Sequence, residues 1–162
     1  HSTAIKGLTI IQSGDDRYYN NIFIGKGNTI DNKESYGLQL YKNTKYPVSI
    51  NNNFYYNDAI PYMDEMNSIV AKDYNPGIRL EEIGSEVFIH YNFDDAYRNF
   101  RGRLITTKML GTTVIAKAKF ENPDGSPLLI NKDYFGNSRT EKNNLAGPFN
   151  SFINDNLKLK VW

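Results

Sequence analysis

The amino-acid sequence predicts an all-β protein, in which stacked turns of a β-solenoid precede a small antiparallel β-sandwich. Three observations support this fold class. The 162 residues include 21 Asn and 12 Tyr but few Ala and no long Leu-rich segment, a composition that disfavours helices. An Asn-rich phrase occurs twice in the first half of the chain, and several segments of the second half alternate apolar with polar residues.

Residues 1–77 are predicted to form the solenoid turns. Short strand-like runs occur at 8–11 and 18–25, and a second set at 38–41 and 48–57 repeats this outline. Glycine-containing turns and polar stretches separate the runs. Stacking of such turns would bury the apolar side of each run against its neighbour.

The repeated phrase is Asn20-Asn21-Ile22-Phe23, which recurs as Asn51-Asn52-Asn53-Phe54 at an offset of 31 positions. Asn tolerates the left-handed backbone conformation that a corner between two strands requires. Equivalent Asn residues on neighbouring turns would lie about 4.8 Å apart, so their amides could hydrogen-bond in a ladder. Two unrelated Asn-rich hairpins are the alternative interpretation, because the repeat has only two copies.

Residues 58–77 connect the two parts of the chain. Ile60, Met63 and 66–70 have loose helical spacing, which predicts one short helix that ends at Asn75-Pro76-Gly77. Five or six half-buried antiparallel strands are predicted beyond it, so the domains are expected to span 1–77 and 78–162. The strand-forming segments are 78–81, 87–93, 114–120, 127–130 and 157–161.

The composition excludes several function classes. A formal net charge of +1, from 19 basic and 18 acidic residues, gives no electrostatic basis for binding nucleic acid or an anionic membrane. The chain has no Cys, which excludes a disulfide scaffold and a thiolate zinc site. No apolar run approaches the roughly 18 residues of a membrane span. Because no metal or cofactor motif is present, neither a metal nor a cofactor is predicted.

The densest polar cluster next to strand sequence is Asp15-Asp16-Arg17. Neighbouring residues of a strand point to opposite faces, so Asp15 and Asp16 cannot enter one site together, whereas Asp15 and Arg17 can share a face. Arg17 would then hold Asp15 ionised. Two interpretations stay open: the cluster lines a ligand site, or Asp15 caps backbone N–H groups at a corner with Arg17 as its ion-pair partner.

Other polar residues favour structural roles. Asp94 follows a predicted strand and is typical of a turn or a helix N-cap, and His90 lies on the outer face of the same strand. Asp124 belongs to a strong turn signal, with calcium binding as the alternative. Arg139 is expected to pair with Asp133 in a packed loop.

Five phrases occur in an order that is similar to one enzyme family. They are His1-Ser2-Thr3, then Gly14-Asp15-Asp16-Arg17-Tyr18-Tyr19-Asn20-Asn21-Ile22-Phe23-Ile24-Gly25, then Glu121-Asn122-Pro123-Asp124-Gly125-Ser126-Pro127, then Asp133-Tyr134-Phe135-Gly136 with Arg139, and finally Gly147-Pro148-Phe149. Together they resemble the C-terminal part of right-handed parallel β-helix glycoside hydrolases of the β-xylosidase type. The resemblance implies the last turns of a right-handed parallel β-helix, followed by a small antiparallel β-sandwich.

The resemblance also implies an exo-acting, retaining glycosidase that uses an Asp nucleophile and a Glu acid/base on oligosaccharides from plant or other polysaccharides. In such enzymes both carboxylates lie on earlier β-helix turns, and residues 1–77 show no complete carboxylate pair for glycoside hydrolysis. No catalytic residue is therefore assigned to this chain. We expect a fragment whose partner is the upstream β-helix portion of the same protein, located in the periplasm or outside the cell.

The same resemblance suggests a place for four polar residues. His1, Asp15, Asp16 and Arg17 are expected to contact substrate, as polar groups at the end of the β-helix groove. The alternative function is a non-catalytic carbohydrate-binding or structural module, in which tyrosines on an exposed sheet face stack on sugar rings. Core and sheet packing is the competing interpretation of those tyrosines.

Overall fold

The computed structural model describes residues 14–26, 36–150 and 157–162, where most regular elements are short β-strands. The strands are β1 (Arg17–Tyr19), β2 (Ile22–Ile24), β3 (Ser49–Asn51), β4 (Phe54–Tyr56), β5 (Ile69–Ala71), β6 (Arg79–Ile83), β7 (Glu86–Tyr91), β8 (Ile105–Thr106), β9 (Leu129–Ile130) and β10 (Leu157–Lys160). The helices are α1 (Asp95–Asn99), α2 (Thr107–Leu110) and a 3₁₀-helix (Gln39–Asn43). This confirms the predicted all-β class; His1 and the strand expected at 8–11 lie outside the described residues.

The first five strands form two parallel ladders. β1 pairs with β3, and β2 pairs with β4, which pairs in turn with β5. Ile22 lies opposite Phe54, an offset of 32 positions, so the predicted offset of 31 is wrong by one residue. The corner residues that match are Asn20 and Asn52, whose φ angles of 57° and 58° are both left-handed.

The predicted amide ladder between neighbouring turns is confirmed. Asn21 Nδ2 donates to Asn53 Oδ1 over 3.0 Å, and Asn67 Nδ2 donates to Asn51 Oδ1 over 3.2 Å. Asn67 also has a left-handed φ of 59° and lies just before β5. The stack therefore has a third layer with an Asn at its corner, which the repeated phrase did not reveal.

Two local predictions in this half of the chain are wrong. Residues 58–77 contain β5 instead of a short helix, because backbone pairing with β4 holds the end of the loosely helical pattern in an extended conformation. The strand expected at 38–41 is mostly 3₁₀-helix, and parallel pairing is limited to a single bridge between Gly37 and Ile60.

The segment at 114–120 does not form the strand that its alternating pattern predicts. Thr113 and Ala118 exchange hydrogen bonds across a tight turn instead. Val114 and Ile115 are 50% and 57% exposed, so the alternation does not produce a buried apolar face. Alternation predicts a strand only when another element covers one side of it.

The second half of the chain contains small antiparallel sheets. β10, β7 and β6 form one sheet, and β8 pairs with β9 in another. Asp94 begins α1 by accepting a hydrogen bond from the backbone N of Tyr97 over 3.1 Å, which confirms the predicted N-cap. His90 lies 2.7 Å from Glu81 on the outer face of the first sheet, where Lys158 and His90 lower the pKa of Glu81 to about 2.

Aromatic residues dominate the hydrophobic core. The buried cluster contains residues from both sides of position 77 and consists of Phe54, Tyr56, Tyr91, Phe93, Tyr97, Leu145, Ala146 and Phe149. Burial raises the pKa of Tyr97, whose hydroxyl donates to the Ala146 carbonyl over 2.7 Å. Core packing is thus the role of the buried tyrosines. In the described part of the chain, no helix has the length and apolar character needed to cross a membrane.

Candidate functional site

Asp15 and Arg17 lie together, as their spacing predicts. Arg17 Nη1 is 3.3 Å from Asp15 Oδ1, and the two side chains are 10% and 7% exposed. The other carboxylate oxygen of Asp15 accepts a hydrogen bond from the backbone N of Ile115 over 3.0 Å. Arg17 Nε donates to the Leu110 carbonyl over 3.0 Å, so the pair fastens the parallel turns to the second half of the chain.

The surroundings of Asp15 stabilise its charged form. The hydrogen bond from the Ile115 backbone is the main cause that lowers the pKa of Asp15, and Arg17 lowers it further. A carboxylate whose pKa is lower in the folded than in the unfolded state contributes stability above the unfolded pKa. That contribution is lost as the pH falls through the folded pKa.

We predict that Asp15→Asn lowers the free energy of unfolding at pH 7, and that the difference from wild type shrinks as the pH falls below about 4. Urea unfolding followed across this pH range measures the difference. The control is Asp95→Asn, since Asp95 is an exposed residue with a long contact of 3.5 Å to Arg98. If Asp15→Asn lowered the free energy of unfolding by the same amount at every pH, the ionised Asp15 carboxylate would not be the cause of the loss.

Arg17 Nη1 also donates to the backbone carbonyl of Asp16 over 3.2 Å, but the Asp16 carboxylate has a partner of its own. Tyr41 donates to Asp16 Oδ2 over 3.1 Å, and the hydroxyls of Tyr41 and Tyr18 lie 2.7 Å apart. The hydrogen bond with Tyr41 is the main cause that raises the pKa of Tyr18 to about 12. Asp15 thus belongs to an ion pair, whereas the Asp16 carboxylate accepts from a hydrogen-bonded pair of phenols, and Arg17 contacts both residues.

A second polar site surrounds the corner residue Asn20 and was missed by the sequence analysis. Gly147 N donates to the Asn20 carbonyl over 2.7 Å, and Arg139 Nη2 donates to the Gly147 carbonyl over 2.7 Å. Arg139 Nη1 donates to Asn144 Oδ1 over 3.2 Å. Asn144 and Asn20 both donate to the Arg103 carbonyl, at 2.8 and 3.0 Å, which closes a ring of hydrogen bonds.

An open cleft of about 340 Å³ lies beside this ring. One part of its lining is polar, and the remainder is apolar and includes the cross-strand pair Ile105 and Ile130. The polar lining comes from the parallel turns and from the segment at 139–147, namely Tyr19, Asn20, Asn21, Arg139 and Asn144. The Asn pairs and Arg139 were visible in the sequence, but no local pattern places residues 20, 103 and 144 together.

The predicted ion pair between Arg139 and Asp133 is wrong. The guanidinium of Arg139 donates instead to Asn144 and to the carbonyls of Leu145 and Gly147. Burial lowers the pKa of Arg139, although Asp133 partly offsets this effect through its charge. The carboxylate of Asp133 instead accepts hydrogen bonds from the backbone N of Phe135, Asn137 and Asn150, which stabilise the local turn.

Metal binding finds no support in the side chains that the structure describes. No group of three or more His, Asp or Glu residues in residues 14–26, 36–150 and 157–162 is arranged to hold an ion. Asp124, the candidate calcium ligand, accepts from the backbone N of Ser126 over 3.0 Å in its turn. The hydrogen bonds with Ser126 lower the pKa of Asp124, as expected for a turn-forming carboxylate.

Comparison with known proteins gives one informative similarity. No family model and no curated protein sequence matches the chain. A solved structure described as the complex of XylC with xylose is similar, with 32% sequence identity and a TM-score of 0.82. The similarity covers 92% of this chain but 26% of XylC, so the chain spans about a quarter of that protein's length. The fold of this chain is thus similar to part of XylC, whose structure contains xylose.

Proposed function

We propose that this chain is the C-terminal portion of a glycosidase of the exo-acting, retaining β-xylosidase type, which acts on oligosaccharides from plant or other polysaccharides. The observation that carries the proposal is the 32% identity with XylC over 92% of the chain, in a structure that contains xylose. The ordered phrases from Gly14 to Phe149 resemble the same class. The catalytic Asp and Glu are proposed to lie upstream of this chain.

The finer architecture belongs to the same proposal. A right-handed parallel β-helix would continue the parallel pairing seen in β1 with β3 and in β2, β4 and β5. Left-handed Asn residues at matching corners support this continuation. Residues 78–162 would then form the β-sandwich domain, which shares its aromatic core with β4 and whose present sheets of two or three strands are small and open.

We extend the proposal to substrate contact by His1, Asp15, Asp16 and Arg17. Asp16 supports it best, because its carboxylate accepts from Tyr41 and so belongs to a polar group distinct from the structural ion pair. The upstream β-helix portion would be the partner that completes the groove. A periplasmic or extracellular location fits an enzyme that meets polysaccharide-derived substrates.

Hydrolysis of an aryl β-xyloside tests the proposal directly. The 162-residue chain should show no turnover above background, whereas the product of the longer open reading frame should hydrolyse the substrate. In the long product, Asp16→Asn tests the proposed substrate contact. It should raise KM more than it lowers kcat if Asp16 contacts substrate without reacting. Turnover by the short chain that disappears in Asp15→Asn would contradict the placement of the catalytic residues upstream.

A non-catalytic carbohydrate-binding module is the second candidate function. Its specific support is a set of exposed aromatic rings: Tyr134, Phe135 and Trp162 are 57%, 44% and 79% exposed. Tyr134 is held in place by a hydrogen bond of 2.7 Å from its hydroxyl to the Val161 carbonyl. Binding of an insoluble polysaccharide by the short chain, lost on replacement of these rings, would favour this candidate over the enzyme fragment.

A further inference from the structure

The segment from Ala96 to Phe120 concentrates positive charge in a chain that is nearly balanced overall. It contains six basic residues and no acidic residue, whereas the whole chain has a formal net charge of +1, so the remaining residues carry −5. The basic residues are Arg98, Arg101, Arg103, Lys108, Lys117 and Lys119. Charge that is distributed so unevenly can orient one surface towards an acidic partner even where the net charge is small.

The end of this segment forms a turn with an unusual composition. The chain reverses between Thr112 and Lys119, which form an antiparallel bridge, and residues 112–119 are named the basic turn below. Turns consist mostly of Gly, Pro, Asn, Asp and Ser. The tip of the basic turn instead carries Val114 and Ile115, which are 50% and 57% exposed. The turn gains nothing from this exposure, whereas a covering surface would remove both side chains from water.

Lysines without ionic partners accompany this apolar tip. Lys117 and Lys119 belong to the basic turn, and Lys108 lies on α2. Thr107 Oγ1 of that helix donates to the Phe120 carbonyl, which holds the helix against the end of the turn. All three lysines are exposed, and none forms an ion pair with a residue that the structure describes. This composition favours a partner surface that combines apolar side chains with carboxylates.

Two contacts hold the basic turn beside the first layer of parallel strands. Ile115 N donates to Asp15 Oδ2 over 3.0 Å, and Arg17 Nε donates over 3.0 Å to the carbonyl of Leu110, just before the turn. Arg17 begins β1, which pairs with β3 on one side. Within the described ranges of the chain, the other edge of β1 has no partner strand. A further layer that stacks on this edge would therefore lie beside the basic turn.

We propose that the basic turn is a docking surface for the upstream layers of the β-helix of the same protein, which cover its apolar tip with aliphatic side chains and place carboxylates against its lysines and Lys108. The inference rests on the proposed function, because that proposal places further β-helix turns upstream. It continues an existing interface, since the second half of the chain packs on β4 and bonds to Asp15 and Arg17. A second copy of the chain is disfavoured, because two basic turns would bring like charges together.

Lysine acetylation measures the accessibility of this surface directly. The 162-residue chain and the product of the longer open reading frame are treated with a water-soluble N-hydroxysuccinimide ester of acetic acid, and peptide mass spectra give the rate at each lysine. Lys117 and Lys119 should react at least about tenfold more slowly in the longer product, because a docked surface must open before they react. Lys142 is the internal control, since it is exposed outside the basic turn and should react equally in both proteins.

A substitution at the apolar tip tests the docking in a second way. Ile115→Glu should restore fast acetylation of Lys117 in the longer product, because it places a charge in the apolar part of the interface. The same variant should leave the urea midpoint of the 162-residue chain unchanged, since Ile115 is exposed there and keeps its backbone N–H. The matched control is Leu80→Glu, which should leave acetylation slow, because Leu80 is 67% exposed on β6, outside the basic turn.

The outcomes separate this inference from the proposed function, which hydrolysis of an aryl β-xyloside tests in the same longer product. Slow acetylation without hydrolysis would support the docking surface and contradict the glycosidase. Hydrolysis with equal acetylation rates in both proteins would contradict the docking surface alone. Acetylation of the 162-residue chain that slows as its own concentration rises would identify a second copy as the occupant and overturn the inference.

Discussion

Replacing Asn53 by alanine is expected to lower the free energy of unfolding by about 3–5 kcal/mol. Asn53 is fully buried, and its Oδ1 accepts from the backbone N and the Nδ2 of Asn21, at 2.8 and 3.0 Å. Its Nδ2 donates to the Tyr18 carbonyl and to Glu65 Oε1, at 3.0 and 2.9 Å. Alanine would remove these bonds and leave buried groups on two layers of the stack without partners.

Urea unfolding at pH 7, followed by far-UV circular dichroism, measures this loss. The matched control is Asn51→Ala, because Asn51 belongs to the same strand–corner segment but its side chain makes an exposed hydrogen bond with Asn67. That variant should lose about 0.5–1.5 kcal/mol. Equal losses in the two variants would show that the buried amide network does not hold the layers together.

The sequence predicts this network in outline because its chemistry is local. Asn at a corner needs only its own backbone conformation and one neighbouring turn, so the doubled phrase was sufficient to predict the ladder. The alignment was wrong by one position because three consecutive Asn residues allow several registers. The backbone decides between them, since Asn52 is the residue with the left-handed φ of 58° and Asn53 points into the stack.

The third layer was not predictable in the same way. Ile69, Val70 and Ala71 form β5 through hydrogen bonds with β4, which lies 15 positions earlier in the register. Their sequence also fits one face of a helix, and periodicity over so short a run cannot separate the two conformations. Tertiary pairing, which the sequence does not state, determines the outcome.

The candidate sites also differ in whether their contacts join residues that are near or distant in the sequence. Asp15 with Arg17 and the N-cap at Asp94 involve residues two or three positions apart, so spacing alone predicted them. The ring around Asn20 joins residues that are more than 80 positions apart, and no periodic pattern reports such a contact. Arg139 was noticed but given the wrong partner, because the turn at 133–137 uses the nearest carboxylate for its own backbone N–H groups.

Replacing Gly37 by alanine is expected to lower the free energy of unfolding by about 3–5 kcal/mol, well beyond the cost of its backbone conformation. Gly37 has φ 91°, and an added Cβ would overlap the carbonyl oxygen of Ile60 and lie 2.8 Å from the Ile60 nitrogen. Both backbone groups are already engaged, since Leu38 N donates to that carbonyl and Ile60 N donates to Tyr36, each over 2.9 Å. The backbone at Ile60 cannot move away from Gly37 without breaking these bonds.

Gly84→Ala isolates the contribution of close approach in this prediction. Gly84 also has a left-handed φ, 63°, but no atom lies within 4 Å of the position that a Cβ would occupy. This variant should therefore lose only the conformational cost, about 1–2 kcal/mol. Urea unfolding of both variants under identical conditions gives the difference between their losses in free energy of unfolding. We attribute this difference to the close approach of the Gly37 and Ile60 backbones. Equal losses would mean that the Ile60 backbone does not lie too close to Gly37 to admit a Cβ.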